Sequence, residues 1–86
     1  MDGQIQWLLV GGPAHGMTVH ARNGDNVLIA LPTGAVVRYD GCTRMEDFMA
    51  YRIGRMDPTP GQEAQISNLI RMTGLKPVSG KPRLED

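Results

Sequence analysis

Hydrophobic and polar residues alternate along the first half of this chain with the period of two that is typical of half-buried β-strands. The clearest case places Met17, Val19 and Ala21 on one face, with polar residues between them. Residues 27–31 are apolar throughout, which predicts a central strand covered on both faces. The pattern as a whole predicts four strands, at residues 4–10, 17–22, 27–31 and 35–40.

A glycine-rich turn, residues 11–16, separates the first two predicted strands. Glycine tolerates positive φ and proline fixes φ near about −65°, so this composition favours a sharp reversal of the chain. The residues that we expect to shape the turn are Gly11, Gly12, Pro13 and Gly16. Such a turn can also hold a phosphate, but it lacks the lysine of a P-loop and is followed by a strand pattern instead of a helix.

Two further turns are predicted between the later strands. Asn23-Gly24 is a strong signal for a tight hairpin turn between the second and third strands. Pro32 and Gly34 predict a reversal before the fourth strand, and Asp40-Gly41 is expected to end that strand.

The segment that follows allows two interpretations. Residues 43–46 have the form of a capping box, and helical spacing of apolar residues would favour a helix through 44–54. The alternation from Met49 to Ile53 favours a strand instead. The sequence therefore predicts a short helical turn at 43–47 and a fifth strand at 48–55, with the longer helix as the alternative.

A helix and an arm are predicted at the C-terminal end. Thr59 as N-cap, Pro60 at the first position and Gly74 at the C-cap indicate a helix over about residues 60–73. The chain from 76 to 86 has two prolines and few apolar residues, which predicts an extended or disordered arm.

These elements predict a small, mainly β protein with a C-terminal helix. Its roughly five strands would form an antiparallel meander or a partly closed barrel. A chain of 86 residues has room for one core. We expect residues 1–57 to form an antiparallel β domain, 58–75 a helix packed on it or on a partner, and 76–86 the arm.

Composition narrows the choice of partners. Nine basic and nine acidic residues give a formal charge of zero, which argues against a dedicated nucleic-acid binder. No apolar run approaches the roughly 20 residues of a membrane helix, so no membrane association is expected. Cys42 is the single cysteine, which excludes an intrachain disulfide and fits a reducing compartment.

The sequence offers no recognisable catalytic or metal-binding pattern. His15 and His20 would lie on opposite faces of one regular strand, and no further ligand stands at metal-binding spacing. The carboxylates are scattered through turns and helix starts, where they favour capping and solubility. We therefore expect no catalytic residue, no metal and no cofactor.

One group of arginines and tyrosines is a candidate partner-binding surface. Both residue types are enriched in protein interfaces and also stack on single-stranded bases. Nearby carboxylates nearly cancel the positive charge, which favours protein contact, and a solvated sheet face with buried tyrosines is the alternative. The group consists of Arg38, Tyr39, Tyr51, Arg52 and Arg55.

The glycine-rich turn also carries a resemblance. Residues 8–19, with the turn at their centre, resemble a family of short phage and prophage proteins that open with a hydrophobic strand and a Gly-Gly-Pro-x-Asp-Gly turn. Ala50-Tyr51-Arg52-Ile53 is similar to the Tyr-Arg strand of that family, so the resemblance spans about residues 5–55. His15 stands where the family usually has Asp. The resemblance implies a phage origin and no established catalytic activity.

The expected function is therefore non-enzymatic protein binding by a phage-encoded protein. A virion component comes first, in capsid decoration or head–tail assembly, as a homo-oligomer or part of a larger assembly. The alternatives are a soluble inhibitor of a host enzyme or defence complex in the host cytoplasm, and a nucleic-acid-binding accessory protein that uses the arginines and tyrosines.

Overall fold

The computed structural model describes residues 4–78, which form five strands and one C-terminal helix. The prediction of a mainly β protein with a C-terminal helix is confirmed. Most of the predicted arm, from residue 79 onward, lies outside the described residues. The elements are β1 (Gln4–Val10), β2 (Thr18–Arg22), β3 (Asn26–Ala30), β4 (Val36–Glu46), β5 (Met49–Arg55) and α1 (Gln62–Thr73).

The strands form one mixed sheet in the order β2-β1-β5-β4-β3. Three neighbouring pairs are antiparallel, but β1 and β5 run parallel, with Trp7 beside Arg52 and Val10 beside Arg55. The sheet curls into a nearly closed barrel. The partly closed barrel is thus the arrangement present, and the expectation of a wholly antiparallel sheet is wrong for its central pair.

Strand β1 contributes to both apolar clusters of the molecule, because its last four residues are buried on both faces. Trp7 and Leu9 point into the barrel, where they pack with Tyr39. Leu8 and Val10 point to the opposite face, which α1 covers. Each large apolar side chain removed from water in this way stabilises the fold by about 1.5–3 kcal/mol.

The prediction that residues 27–31 form a central strand is wrong. Strand β3 lies at one edge of the sheet, and Leu28 on its outer face is 63% exposed. Only the barrel-facing side chains of β3, Val27 and Ile29, pack against the core. An apolar run cannot distinguish a strand covered on both faces from an edge strand with an exposed apolar face.

The predicted hairpin at Asn23-Gly24 is also absent, since β2 and β3 lie at opposite edges of the sheet. The carbonyl of Arg22 accepts hydrogen bonds from the Trp7 indole at 3.1 Å and from the Gly24 amide at 2.9 Å. The guanidinium of Arg52 donates to the Gly24 carbonyl. These bonds hold the turn across one end of the barrel, so it connects two edges without pairing them.

Strand β4 continues through Asp40-Gly41, where the sequence predicts a break. Gly41 lies opposite Gly54 in the sheet, and a side chain at Gly41 would collide with the guanidinium of Arg52. Glycine here makes room inside a strand instead of ending it. The helical turn at 43–47 and the alternative helix through 44–54 are both wrong, whereas the fifth strand is confirmed as β5.

Helix α1 begins two residues later than predicted. Its N-cap is Gly61, with φ 86°, and no side chain caps it. Thr59, the predicted N-cap, instead accepts a hydrogen bond from the Gln62 amide through its main-chain carbonyl, at 3.2 Å. The predicted C-cap, Gly74, has φ 66°. Within the described part of the chain, no helix is long and apolar enough to cross a membrane.

Candidate functional site

The arginines and tyrosines singled out in the sequence do not share one surface. Tyr39 and Arg52 point into the barrel, whereas the other three residues lie on the outer face, as strand alternation requires. The three outer residues are Arg38, Tyr51 and Arg55. Of the five, Arg38 is the exposed one, and its guanidinium pairs with the Asp40 carboxylate at 3.2 Å.

Tyr39 is fully buried and fastens the glycine-rich turn to the barrel. Its hydroxyl donates to the Gly11 carbonyl at 2.7 Å and accepts from the Ala14 amide at 2.8 Å. Gly11 and Gly12 have φ of 85° and 65°, and a side chain on either would collide with Met56. The turn therefore lies against the barrel end only because these two positions lack a side chain.

Arg52 closes the other end of the barrel. Its guanidinium lies 5.0 Å from the centre of the Trp7 ring and donates to the Thr43 hydroxyl at 3.1 Å as well as to Gly24. The buried Nε atom has no hydrogen-bond partner among the described residues. These contacts with its own chain account for the position of this side chain.

Arg55 and Arg44 fasten α1 to the sheet. The Arg55 guanidinium donates to the buried side-chain carbonyl of Gln62 at 2.8 and 3.0 Å and to Glu63 at 3.1 Å. The Arg44 guanidinium contacts Glu63 and donates to the Ser67 hydroxyl at 2.7 Å. Both arginines thus connect strands β4 and β5 to the first two turns of the helix.

Glu46 completes this network at the end of β4. Its carboxylate accepts hydrogen bonds from the Ser67 hydroxyl and from Arg44, whose guanidinium lies 3.1 Å away. The Ser67 hydrogen bond has the largest effect and lowers the pKa of Glu46. Burial has the next largest effect and raises it, and Arg44 and then Arg71 lower it further, so that the net change is downward. The end of β4 is thereby fixed to α1 by an ionised carboxylate.

The two histidines lie apart. The Nδ1 atom of His15 accepts a hydrogen bond from the Gly11 amide at 2.8 Å, within the glycine-rich turn. His20 is exposed on β2, and Cys42 is half-buried beside the helix. Within residues 4–78, no group of three or more His, Cys, Asp and Glu side chains could hold a metal ion.

A different feature leaves large apolar side chains exposed: the turn between β4 and β5. Phe48 is 79% exposed and Met45 is 63% exposed. We call Met45, Asp47 and Phe48 the hairpin tip. Aromatic residues and methionine are enriched in protein interfaces, and Phe48 leaves most of its ring unburied within the described chain.

The backbone of the hairpin tip is strained. Asp47 and Phe48 have φ of 51° and 65°, the left-handed conformation that a two-residue hairpin turn requires at both positions. Asn and Gly adopt it readily, but a Phe there costs about 1–2 kcal/mol. Strain of this kind is concentrated at functional sites.

The base of the hairpin tip is rigid. Glu46 pairs with Met49 across the last rung of the ladder, and Glu46 is tied to Ser67 and Arg44 as described above. The exposed side chains therefore stand on a fixed support, and a support of this kind lowers the entropy cost of ordering a side chain.

Sequence reasoning missed the hairpin tip because no glycine or asparagine marks the turn. Phe48 was assigned to the fifth strand, and Met45 to a helical turn. The alternation from Met49 to Ile53 is the same whether or not the chain reverses before it, so the sequence carries no signal for this turn.

Comparison of the chain with known protein families, with curated proteins and with solved structures gives no match.

Proposed function

We propose that this chain is a non-enzymatic, phage-encoded protein that binds another protein as a virion component, in capsid decoration or head–tail assembly. The observation that carries the proposal is the exposed Phe48 in its strained turn. A sequence under no demand at this position gains stability from Gly or Asn, so the ring is explained best by a partner that covers it.

The rest of the hairpin tip suits a protein partner. Met45 and Phe48 supply apolar surface, and Asp47 adds a negative charge at the end of the hairpin. A nucleic-acid partner would be repelled by that charge, and the arginines nearest the tip are engaged by Glu46 and Glu63. The nucleic-acid alternative is therefore not favoured.

The phage assignment is supported by the resemblance of the Gly11–Gly16 turn and its flanking strands to short phage proteins. A virion role is supported by the way the site is built. A projecting tip on a small rigid domain can reach a neighbouring subunit without enlarging the core. The same shape would also fit a cleft of a host enzyme, so the test must separate the two partners.

Photo-crosslinking from the hairpin tip distinguishes a virion partner from a host enzyme. The photoreactive residue p-benzoylphenylalanine would replace Phe48 in one variant and Met72 in a control, because Met72 is 80% exposed on the helix. In phage-producing cells we expect the first variant to crosslink to a virion protein and to be found in purified particles, and the control to crosslink weakly.

Other results would contradict the proposal in distinct ways. A crosslink to a host protein, with particles that lack the chain, would overturn the virion role and favour the inhibitor. Equal crosslinking from positions 48 and 72 would show that the hairpin tip is not the binding surface.

A further inference from the structure

Strand β3 has a neighbour on one side only. It pairs with β4, and within residues 4–78 no strand is hydrogen-bonded to its other edge, which faces the β2 edge across the gap in the barrel. An open strand edge presents main-chain donors and acceptors in a row, which is a template for another strand.

Two hydrogen bonds at the ends of β3 show which residues face that edge. The Leu31 amide donates to the Ala35 carbonyl at 2.8 Å, and the Gly41 amide donates to the Asp25 carbonyl at 2.8 Å. In an antiparallel pair, bonded and non-bonded residues alternate, so the odd-numbered residues of β3 bond to β4. The residues whose amides and carbonyls point to the open edge are therefore Asn26, Leu28 and Ala30.

The same three residues have exposed side chains on the outer face of the sheet. None of them is charged, and β3 contains neither a proline nor a lysine of the kind that protects an edge from pairing. Leu28 is 63% exposed, and Val36 on the neighbouring strand is 61% exposed, so the edge continues into an apolar surface.

The opposite edge of the sheet, strand β2, differs in its side chains and in its main-chain groups. Strand β2 carries His20 and Arg22, which are exposed and hydrophilic. The Arg22 carbonyl is already used by the Trp7 indole and by the Gly24 amide. One edge of this sheet is thus blocked at its end, whereas the other is open, uncharged and apolar.

We propose that β3 pairs with β3 of a second copy of this chain, antiparallel and about a twofold axis at Leu28. This inference goes beyond the proposed function and does not depend on the hairpin tip. Leu28 would lie opposite Leu28 of the second copy, and Asn26 opposite Ala30. The three pairs would form about six main-chain hydrogen bonds.

Charge and symmetry favour a second copy as the occupant. An uncharged strand meets no like charge when it faces itself, and the outward Arg38 on β4 is neutralised by Asp40 in its own chain. Because the contact uses the same edge on both copies, it is complete with two copies and forms a closed dimer instead of a filament.

The test compares charge substitutions at the two edges. Light scattering and sedimentation of the full chain should give twice the 9.4 kDa chain mass at concentrations where the dimer forms. Leu28→Lys should weaken the dimer by at least roughly tenfold, because it exchanges two apolar contacts for two like charges. His20→Lys, at an exposed position of β2, is the matched control and should leave the mass unchanged.

Mixing variants tests the twofold contact itself. Leu28→Lys and Leu28→Asp should each be monomeric, and an equimolar mixture should recover the dimer because opposite charges then face each other. Amide hydrogen exchange of the unmodified chain should show slow exchange at Asn26, Leu28 and Ala30 in the dimer and fast exchange on dilution.

The proposal would be overturned by a monomer at every concentration, by a dimer that survives Leu28→Lys, or by loss of the dimer in the His20→Lys control. Crosslinking from Phe48 should be unaffected by Leu28→Lys, so failure of this inference and failure of the proposed function are separate results.

Discussion

The hydroxyl of Tyr39 donates a hydrogen bond to the main-chain carbonyl of Gly11 at 2.7 Å, although 28 residues separate the two in sequence. The same hydroxyl accepts from the Ala14 amide at 2.8 Å, and Ala14 is 2% exposed. One side chain thus satisfies two main-chain groups of the glycine-rich turn. The conformation of the turn depends on the core, and not on its glycines alone.

We expect Tyr39→Phe to lower the free energy of unfolding by about 1–3 kcal/mol, because it leaves the buried Ala14 amide without an acceptor. Urea denaturation measures the loss. Tyr51→Phe is the control, since the Tyr51 hydroxyl has only a weak 3.9 Å contact with the Met49 sulfur, and its change should stay within about 0.5 kcal/mol. Equal losses in both variants would contradict the role of the Tyr39 hydroxyl.

Gly12→Val should destabilise the fold severely, by about 2–5 kcal/mol. Gly12 has φ 65°, and an added Cβ would collide with the Met56 sulfur and lie 2.8 Å from the Tyr39 hydroxyl. Thermal unfolding checks this. Gly24→Ala is the control, because Gly24 has open space around it and is not among the glycines with positive φ. An unchanged melting temperature for Gly12→Val would show that the turn does not have this conformation.

The network around Glu46 should make stability depend on pH. Its folded pKa lies below the ordinary value, so its contribution is present above the unfolded pKa of about 4.3 and is lost as the pH falls through the folded pKa. Between about pH 5 and 3, the wild type should therefore lose more stability than Glu46→Gln. Carboxyl NMR should show that Ser67→Ala raises the pKa of Glu46. An unchanged pKa in Ser67→Ala would contradict the assigned cause.

Phe48→Gly should raise the free energy of unfolding by about 0.5–1 kcal/mol, because it relieves the left-handed strain at the hairpin tip. The same change should abolish partner binding. Met72→Ala removes an equally exposed side chain from an unstrained helix, and both stability and binding should remain. Calorimetry and crosslinking measure the two effects, and a less stable Phe48→Gly variant would argue that the ring packs on its own chain.

The residues that follow α1 should contribute to the stability of the sheet. Leu75 is buried, the Lys76 amide donates to the Gln6 side chain at 2.8 Å, and the Val78 amide donates to the Ala50 carbonyl at 2.8 Å. A chain that ends at Gly74 should lose about 2–4 kcal/mol relative to one that ends at Val78. Similar denaturation midpoints for the two would show that these contacts contribute little.

Local patterns identified most of the elements. Alternation located the strands, and Gly74 marked the end of α1, because each signal depends on neighbours in sequence. The same reasoning failed wherever the partner of a residue was distant. The sequence predicts a strand break at Gly41, because the Arg52 side chain that needs the space at Gly41 lies on another strand.

The candidate surfaces were harder to predict for the same reason. Arg52 and Arg55 are residue types of interfaces, but their hydrogen bonds to Gly24 and Gln62 become visible only in the fold. The apolar run 27–31 predicts a strand covered on both faces, yet Leu28 is exposed, because such a run carries no information about which strand lies at the edge. The composition of a segment predicts that it forms a strand, whereas the position of that strand in the sheet depends on the whole chain.

The parallel pairing of β1 with β5 has a consequence for synthesis on the ribosome. Trp7 to Val10, four consecutive residues with no exposed surface, are translated before the other four strands. Their partner strand, which carries Ile53, is made much later. Until then β1 has only β2 beside it, so its apolar side chains must remain unburied while most of the β region is translated. Long-range pairings of this kind fold slowly and expose apolar strands to aggregation, so the delay between β1 and β5 sets the interval in which this chain is most vulnerable.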